Sequence, residues 1–375
     1  MSGRKGTPEK VKVLLWGRAA GRCEFRGCNR DLTANPITKE SVNIAEEAHI
    51  IAYTKDGPRG DKTLSEELCT DVSNLMLACH DCHKLIDQKP DVYTVECLRE
   101  MKQRHEQRIA IASQITDEKQ SLVILYGANV GNQSSQVNFE AAANAMFPLH
   151  YPAAGSPILL GLKNSTFTDD SETFWKIEEE QLRTAFQRKV APVIQEESIR
   201  HFSLFALAPQ PLLIELGSLI GEISDVDVYQ LHREPKGWRW LECNEDQEYI
   251  VNRPLDTSAE PAIVFSLSAT VDDARVRRVL PDVGIWTVTI QNPNNDYLKS
   301  RSQLSAFRKC IRLLLNEIKS KHPKAEVIHI FPAMPVAAAV ELGRVWMPKA
   351  DLPLMIWDQN TKCGGFVRAL KIGGR

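Results

Sequence analysis

No stretch of this chain is apolar for long enough to cross a membrane, and the N-terminus, Met-Ser-Gly-Arg-Lys-Gly, lacks the apolar core of a secretory signal. Those two absences point to a cytoplasmic protein with no membrane partner. An excess of charge of one sign is missing as well, since 46 Lys and Arg stand against 48 Asp and Glu, for a formal net charge of -2. Overall charge therefore announces no nucleic-acid binder. Attraction to phosphate has to come from local patches, such as Arg18, Arg22, Arg26 and Arg30, or Arg99, Lys102, Arg104 and Arg108, and each of these also reads as a solvated helix face. A disulfide scaffold is not expected: nine cysteines is an odd number, and four of them form two close pairs, the pattern of a reducing compartment. Cys69, Cys97, Cys243, Cys310 and Cys363 read as ordinary buried or half-buried thiols. With 375 residues, 43% of them hydrophobic, the chain has material for two or three domains with real cores.

What is present is concentrated between Arg22 and Ile86. The skeleton there is Cys23-x4-Cys28, Ala-His49-Ile, Ser-Asn74-Leu and Cys79-His80-Asp81-Cys82-His83. Thiolates two to four residues apart can both reach one ion, and two such pairs complete a tetrahedral zinc shell. A purely structural ribbon would need no more. His49, Asn74 and His83 are additional, and a zinc that pins both pairs draws these three toward one small cleft. Phosphodiester hydrolysis needs a base for water and positive charge near the departing 3′ oxygen, so His49 suits the first task and an ion held by His83 the second, with Asn74 orienting the loop or joining the metal shell. Blander readings exist for each: a satisfied histidine in a strand, a capping asparagine, and His80 or His83 as alternative zinc ligands.

Around this skeleton, Thr7-Pro8-Glu9 is a helix start, Val42 to Tyr53 reads as a strand in which Glu47 and His49 share a face, and Thr94 opens a longer helix. A polar run from Ser113 to Gln120 marks a domain boundary. The expected organisation is a first domain over 1–115, a linker leading into the second domain over 116–154, and an α/β domain over 155–375. Short apolar strands alternate with amphipathic helices through that last part, as in parallel sheets.

An internal repeat organises it. Phe205-Ala-Leu-Ala-Pro209 through Glu215-Leu-Gly217 aligns without a gap to Phe331-Pro-Ala-Met-Pro335 through Glu341-Leu-Gly343. Each copy follows one apolar strand and precedes another, so two copies of one unit are expected, about 155–255 and 256–375. In such sheets ligands collect at the carboxyl ends of strands, near helix N-termini suited to phosphate. The loops to search are Lys163 to Thr166, Gln291 to Lys299, Ala208-Pro209 and Met334-Pro335.

At these residues two resemblances emerge. The cysteine pairs with Ala-His49-Ile, Asn74-Leu and Cys82-His83 resemble an HNH endonuclease of the ββα-metal class with a structural zinc, over roughly residues 10 to 110, including Gly57-Pro58-Arg59 and the tail His83 to Asp87. The resemblance implies that His49 is the base, Asn74 the central asparagine and His83 a ligand of a catalytic Mg²⁺ (or Mn²⁺ or Ni²⁺), with double-stranded DNA as substrate. Many members carry an acidic metal ligand just before the base, where this chain has Ala48, so Glu47 is the expected second ligand. The repeated half resembles the SAVED domain, a fused pair of CARF-like, Rossmann-like units that senses cyclic oligonucleotides, on His201 to Gly217, Val226 to Arg233 with Trp238 and Trp240, and Ile328 to Gly343.

An HNH nuclease fused to SAVED resembles the effectors of bacterial CBASS antiphage systems. This implies a DNase kept idle until a cyclic di- or trinucleotide binds, self-association as a dimer, and a ligand-promoted higher oligomer. Phosphates and flat bases call for polar, cationic and aromatic partners, and Asn292, Asn294, Tyr297, Lys299, Arg301, Arg233 and Trp357 are the candidates. The tryptophans also read as core. Two rivals stand beside this reading: a restriction-type HNH nuclease reading modified DNA, and a non-enzymatic zinc-dependent DNA-binding regulator with a ligand sensor.

Overall fold

Pro8 sets the chain for α1 (Glu9–Ala19), which ends where Ala20 and Gly21 turn left-handed. The computed structural model describes residues 6–114, 116–131, 137–161, 168–169, 171–196, 200–221, 225–242, 247–257, 259–360, 362 and 364–374. The loop Lys163 to Thr166, Cys243 and Cys363 lie outside them.

Strand β1 (Ala45–His49) is followed by the short α2 (Leu64–Glu67) and by β2 (Leu75–Cys79). The two strands pair antiparallel, with Ala45 opposite Cys79 and His49 opposite Leu75. Helix α3 (His80–Gln88) leaves β2 with no loop between them, Cys79 serving as its N-cap. Helix α4 (Val95–Ser113) begins where the Thr94 hydroxyl accepts the Cys97 amide. One apolar cluster holds these elements together, with Leu15, Leu32, Ile50, Leu75, Leu77 and Leu98 all fully buried. Burying each such side chain contributes about 1.5–3 kcal/mol. The unit ends at Thr116 and a second begins at Asp117, inside the polar run.

The second unit starts directly with a sheet. Its elements are β3 (Gln120–Gly127), α5 (Phe139–Met146), β4 (Tyr151–Pro152), β5 (Ile158–Leu159), α6 (Glu172–Lys189), α7 (Ala191–Glu196), β6 (Phe202–Leu207), α8 (Gln210–Ile220) and β7 (Val226–Tyr229). The strands run parallel in the order β4-β3-β6-β7, with β5 also on β3. The segment 116–154, expected as a linker, therefore supplies β3, which pairs with β6 along its length. Leu-Val-Ile-Leu-Tyr buries both faces of that strand, which is what a central parallel strand needs. The first repeat accordingly begins at Gln120 rather than near 155.

The second repeat comprises β8 (Ile250–Asn252), β9 (Glu260–Ser266), α9 (Asp273–Val279), β10 (Val283–Thr289), α10 (Arg301–Lys321), β11 (Ile328–Phe331), α11 (Val336–Val345), β12 (Leu354–Asn360) and β13 (Gly365–Ile372). Its sheet order is β13-β12-β11-β9-β10-β8, parallel inside and antiparallel at both edges.

The repeated Pro, Glu and Gly now have physical roles. Pro209 and Pro335 are the N-caps of α8 and α11. Gly217 and Gly343 let these two helices touch backbone to backbone: a Cβ on Gly217 would lie 2.0 Å from the Val340 carbonyl oxygen, and one on Gly343 2.0 Å from that of Ile214. The contact is reciprocal, as a pseudo-two-fold relation requires. Glu215 and Glu341 are buried beside it, and arginines neutralise them, Arg183 at 2.6 Å from Glu215 and Arg344 at 2.7 Å from Glu341.

Candidate functional site

In the first unit the four expected thiols converge. The Sγ atoms of Cys23, Cys28, Cys79 and Cys82 lie within 4.8 Å of one another, and Cys28 and Cys79 are 3.9 Å apart. Zinc–sulfur bonds of about 2.3 Å put tetrahedral sulfurs about 3.8 Å apart, so the spacing fits the ion. The Cys79 amide donates to Cys23 Sγ at 3.4 Å, as amides do to thiolates. Burial, the dominant effect, pushes the Cys23 thiol up to about 12, and the neighbouring thiols of Cys79 and Cys28 add to it. A cation among the sulfurs removes that penalty, because coordination stabilises the thiolate. His80 and His83 turn to Glu46 instead of joining the sulfurs.

Asn74 is buried and acts as a clamp. Its Oδ1 accepts the Ile51 amide at 2.8 Å, and its Nδ2 donates to the carbonyls of Ile51 at 2.9 Å and Leu68 at 3.2 Å. Those bonds use the amide internally, so Asn74 orients the chain that leaves β1 and does not face a metal. His49, the last residue of β1, places Nε2 3.0 Å from the Cys69 carbonyl oxygen. A carbonyl only accepts, so Nε2 carries the proton and the basic lone pair is at Nδ1.

Arg59, unassigned from sequence, is the second clamp. Its guanidinium donates to the carbonyls of Ile50 at 2.8 Å, Ile86 at 2.6 Å and His49 at 3.3 Å, and to Asp87 Oδ1 at 2.9 Å. It does so from a left-handed backbone, φ 59°, which costs a residue with a Cβ about 1–2 kcal/mol. Those hydrogen bonds offset the strain.

His49, His83 and Asp87 line one cavity of 380 Å³ together with Tyr53, Thr54 and Pro58. Asp87 Oδ2 is 3.4 Å from His83 Nε2, one helical turn along α3, while His83 Nδ1 meets Glu46 Oε2. Glu46 also accepts from His80 Nδ1 at 2.7 Å, and that bond, ahead of the His83 contact, holds its carboxyl below the usual range. The expectation for Glu47 is corrected here. Glu47 pairs loosely with Lys12 at 4.0 Å, and the acids against His83 are Glu46 and Asp87. The i, i+4 spacing of His83 and Asp87 on a helix was the signal that could have found the second of these.

The second unit holds a cavity of 400 Å³ at the carboxyl ends of strands from both repeats. Leu207 closes β6, Gln230 and Leu231 follow β7, Ser268 follows β9, Asn295 lies after β10, and Met334 to Val336 lead into α11. Side chains of the first repeat satisfy amides at the start of α11: Gln210 Oε1 accepts from Met334 at 3.1 Å and Gln230 Oε1 from Ala337 at 3.1 Å. Arg233 and Lys236 are the cations on the wall, beside buried His232. Burial, then the Lys299 charge, lowers the basicity of His232.

The candidates from sequence divide. Arg233 lines the cavity. Lys299 supports it from behind, donating to Asp296 and, at 2.7 Å, to the Glu234 carbonyl, while Asp296 accepts the amides of Arg233 at 3.0 Å and Glu234 at 3.2 Å. Asn292 and Asn294 hold the loop in shape, Asn294 Nδ2 donating to the Asn292 carbonyl at 2.9 Å, so that their neighbour Asn295 reaches the wall. Three candidates lie elsewhere. Tyr297 is buried with its hydroxyl 3.4 Å from that of Tyr249, and Trp357 stacks on Phe331 in the core with ring centroids 5.4 Å apart. Arg301 binds Asp227 at 2.5 Å, near the start of β7.

Residues 182–372 match the profile of the family described as SAVED, the SMODS-associated and fused to various effectors sensor domain. No curated protein matches the chain. Similar solved structures include the Cap4 SAVED/CARF-domain containing receptor of Acinetobacter baumannii with the cyclic trinucleotide 3'3'3'-cAAA, at 10% identity and a TM-score of 0.44 over 84% of this chain and 68% of that one. The same receptor with 2'3'3'-cAAA aligns at 11% identity and 0.44, over 84% and 67%. The Moraxella osloensis Cap4 receptor aligns at 12% identity and 0.41, over 78% of this chain and 60% of that one.

Proposed function

The chain belongs to the SAVED family of sensor domains, and we propose that its second unit senses a cyclic oligonucleotide and so switches on a metal-dependent endonuclease in the first, one that degrades double-stranded DNA in bacterial antiphage defence. The observation that carries the nuclease reading is a single cavity shared by His49, His83 and Asp87, on an antiparallel ribbon and helix beside four clustered thiols.

In this reading Cys23, Cys28, Cys79 and Cys82 hold zinc as a cross-link. His83 Nε2 and Asp87 Oδ2 would hold a divalent ion, Mg²⁺ or, given the imidazole donor, Mn²⁺ or Ni²⁺, and the ion would supply positive charge at the departing 3′ oxygen. His49 Nδ1 takes a proton from water, whose oxygen forms a bond to phosphorus. The bond from phosphorus to the 3′ oxygen breaks, and that oxygen leaves with the electron pair and is protonated. Asn74 and Arg59 are positioning residues that keep the His49 backbone and ring in place.

On the sensor side, Arg233 and Lys236 suit the phosphates of a cyclic di- or trinucleotide, and Ser268 and Asn295 suit base edges. Activation requires the ligand to bind the active assembly, a dimer or higher oligomer, more tightly than the idle one.

The test incubates purified protein and Mg²⁺ with plasmid DNA, with and without a panel of cyclic di- and trinucleotides. Cutting only with a nucleotide is expected. Unconditional cutting would favour a restriction-type enzyme, and no cutting under any condition a regulator. His49→Ala should lower cleavage by about 10²–10⁴-fold while zinc content and nucleotide affinity stay at wild-type values.

A further inference from the structure

At the opposite ends of the first sheet's strands from the sensor cavity, a second group of donors meets. His150 precedes β4, His201 precedes β6, and Asp227 lies in the first half of β7. Their ligand atoms all fall within 4.8 Å of one another. We propose that His150 Nδ1, His201 Nε2 and Asp227 Oδ2 form a binding site for a divalent transition-metal ion of the zinc class, separate from the four thiols.

Distances are the first argument. Asp227 Oδ2 is 3.5 Å from His150 Nδ1 and 3.7 Å from His201 Nε2. Those separations exceed good hydrogen bonds, whose heavy atoms sit about 2.7–3.2 Å apart. They are near the edge of a tetrahedron with metal bonds of about 2.0–2.1 Å, which is about 3.4 Å. The two imidazoles stack with centroids 3.6 Å apart and planes 15° from parallel, so one ring has to swing out of the stack for both in-plane lone pairs to meet one ion.

A second argument is what these atoms lack. His150 Nδ1 and Asp227 Oδ2 are buried and have no hydrogen-bond partner among the described residues. Buried polar atoms are seldom left so, since the cost is about 1–3 kcal/mol each. An ion between them satisfies both.

The third is the surrounding shell. His201 Nδ1 is 2.8 Å from Ser121 Oγ, which is itself 2.8 Å from Ser203 Oγ, so the far nitrogen of this ring is held and Nε2 can offer its lone pair. Asp227 Oδ1 takes Arg301 at 2.5 Å, and the guanidinium lies over the Tyr229 ring at 5.4 Å. Hydrogen bonds to the second atom of each ligand are the usual outer shell of a metal site. A Ser-His-Asp nucleophile does not fit the same residues. Ser121 is fully buried, and Asp227 is too far from His201 to orient its ring.

All three side chains keep partial solvent access, 20% for His150, 16% for His201 and 19% for Asp227, so an ion can enter and water can complete its shell. It would staple three segments far apart in sequence. Through Arg301 it would also reach the start of α10, whose preceding loop carries Asn295 to the sensor cavity.

The experiment counts zinc in the full-length protein after equilibration with zinc chloride and gel filtration, for wild type and for the paired substitution His150→Gln and His201→Gln. The variant should hold one equivalent fewer, with an unchanged circular dichroism spectrum. Because the result is a difference, zinc on the thiols cancels, and nuclease activity does not enter. Equal zinc contents would overturn the proposal. Wild-type crystals soaked in zinc chloride test it without any substitution: anomalous density bonded to these three residues is expected, and its absence there would also sink the site.

Discussion

His49, Asn74, His83 and Asp87, with the thiols beside them, all fall between Cys23 and Asp87, and one ribbon and one helix bring them together. The walls of the candidate sensor cavity come instead from Leu207 to Val336, through loops that follow strands of two different sheets. In the first unit, spacing along a strand or helix already fixes which side chains meet. In the second, a residue's position depends on how two sheets dock, and that docking rests on residues far from the cavity. A locally built site should therefore fail when its cross-link fails, and a distributed one when its helix packing fails.

The largest expected effect tests the first half of that contrast. Cys79→Ser removes a sulfur from a shell whose zinc contributes about 10–16 kcal/mol in small zinc-folded peptides, more than a domain of this size has to spare. The first unit should unfold and become protease-sensitive near Gly6 to Gln114, and chelation of the wild-type protein should do the same. Nucleotide affinity of the second unit should be retained. A variant whose first unit stays protease-resistant would show that the apolar cluster suffices without the ion.

The same contrast explains what could be read in advance. That the thiol pairs would converge and that His49 and His83 would line one cavity was legible because knuckle spacing and a strand leading straight into a helix leave few alternatives. Glu47 was not, because alternation puts it level with His49 whereas α3 meets the face that carries Glu46, and the strand ends at His49, beyond which alternation decides nothing. The repeat was legible from Pro, Glu and Gly, of which Pro caps α8 and α11, Glu is buried with an arginine partner and Gly makes the contact between the two helices. β3 was recognisable as a strand, but its pairing with β6, across a long stretch of chain, leaves no mark in its own residues. Tyr297 and Trp357 show the remaining ambiguity: an aromatic that stacks on a base and one that fills a parallel sheet have the same local sequence.

An intermediate effect tests the second half. Gly217→Ala puts a methyl group 2.0 Å from the Val340 carbonyl oxygen, with helix backbone on both sides. Overpacking costs about 1–3 kcal/mol and more where backbone has to move, so the melting transition of the second unit should fall by several degrees. Nucleotide affinity should fall with it, although Gly217 is not in the cavity wall. An unchanged affinity alongside a lowered melting temperature would mean that the cavity tolerates movement of α8 against α11, which would break the comparison.

The smallest effect separates the cavity wall from the core behind it. Arg233 lines the cavity, and Asp296 fixes its backbone amide. A charge-assisted hydrogen bond to phosphate contributes about 1.5–3 kcal/mol, so Arg233→Ala should weaken nucleotide binding about tenfold or more in a calorimetric titration, with little change in melting temperature. Trp357→Phe should do the reverse. Trp357 Nε1 donates to His329 Nδ1 at 3.1 Å and its ring stacks on Phe331, so the substitution loses a buried hydrogen bond and leaves affinity within twofold. If Trp357→Phe weakened binding more than Arg233→Ala, the ligand would have to sit on the Phe331 side of the sheet and not at the strand ends. Which of the two variants binds more weakly therefore decides whether the carboxyl-end cavity or the core face is where the nucleotide rests.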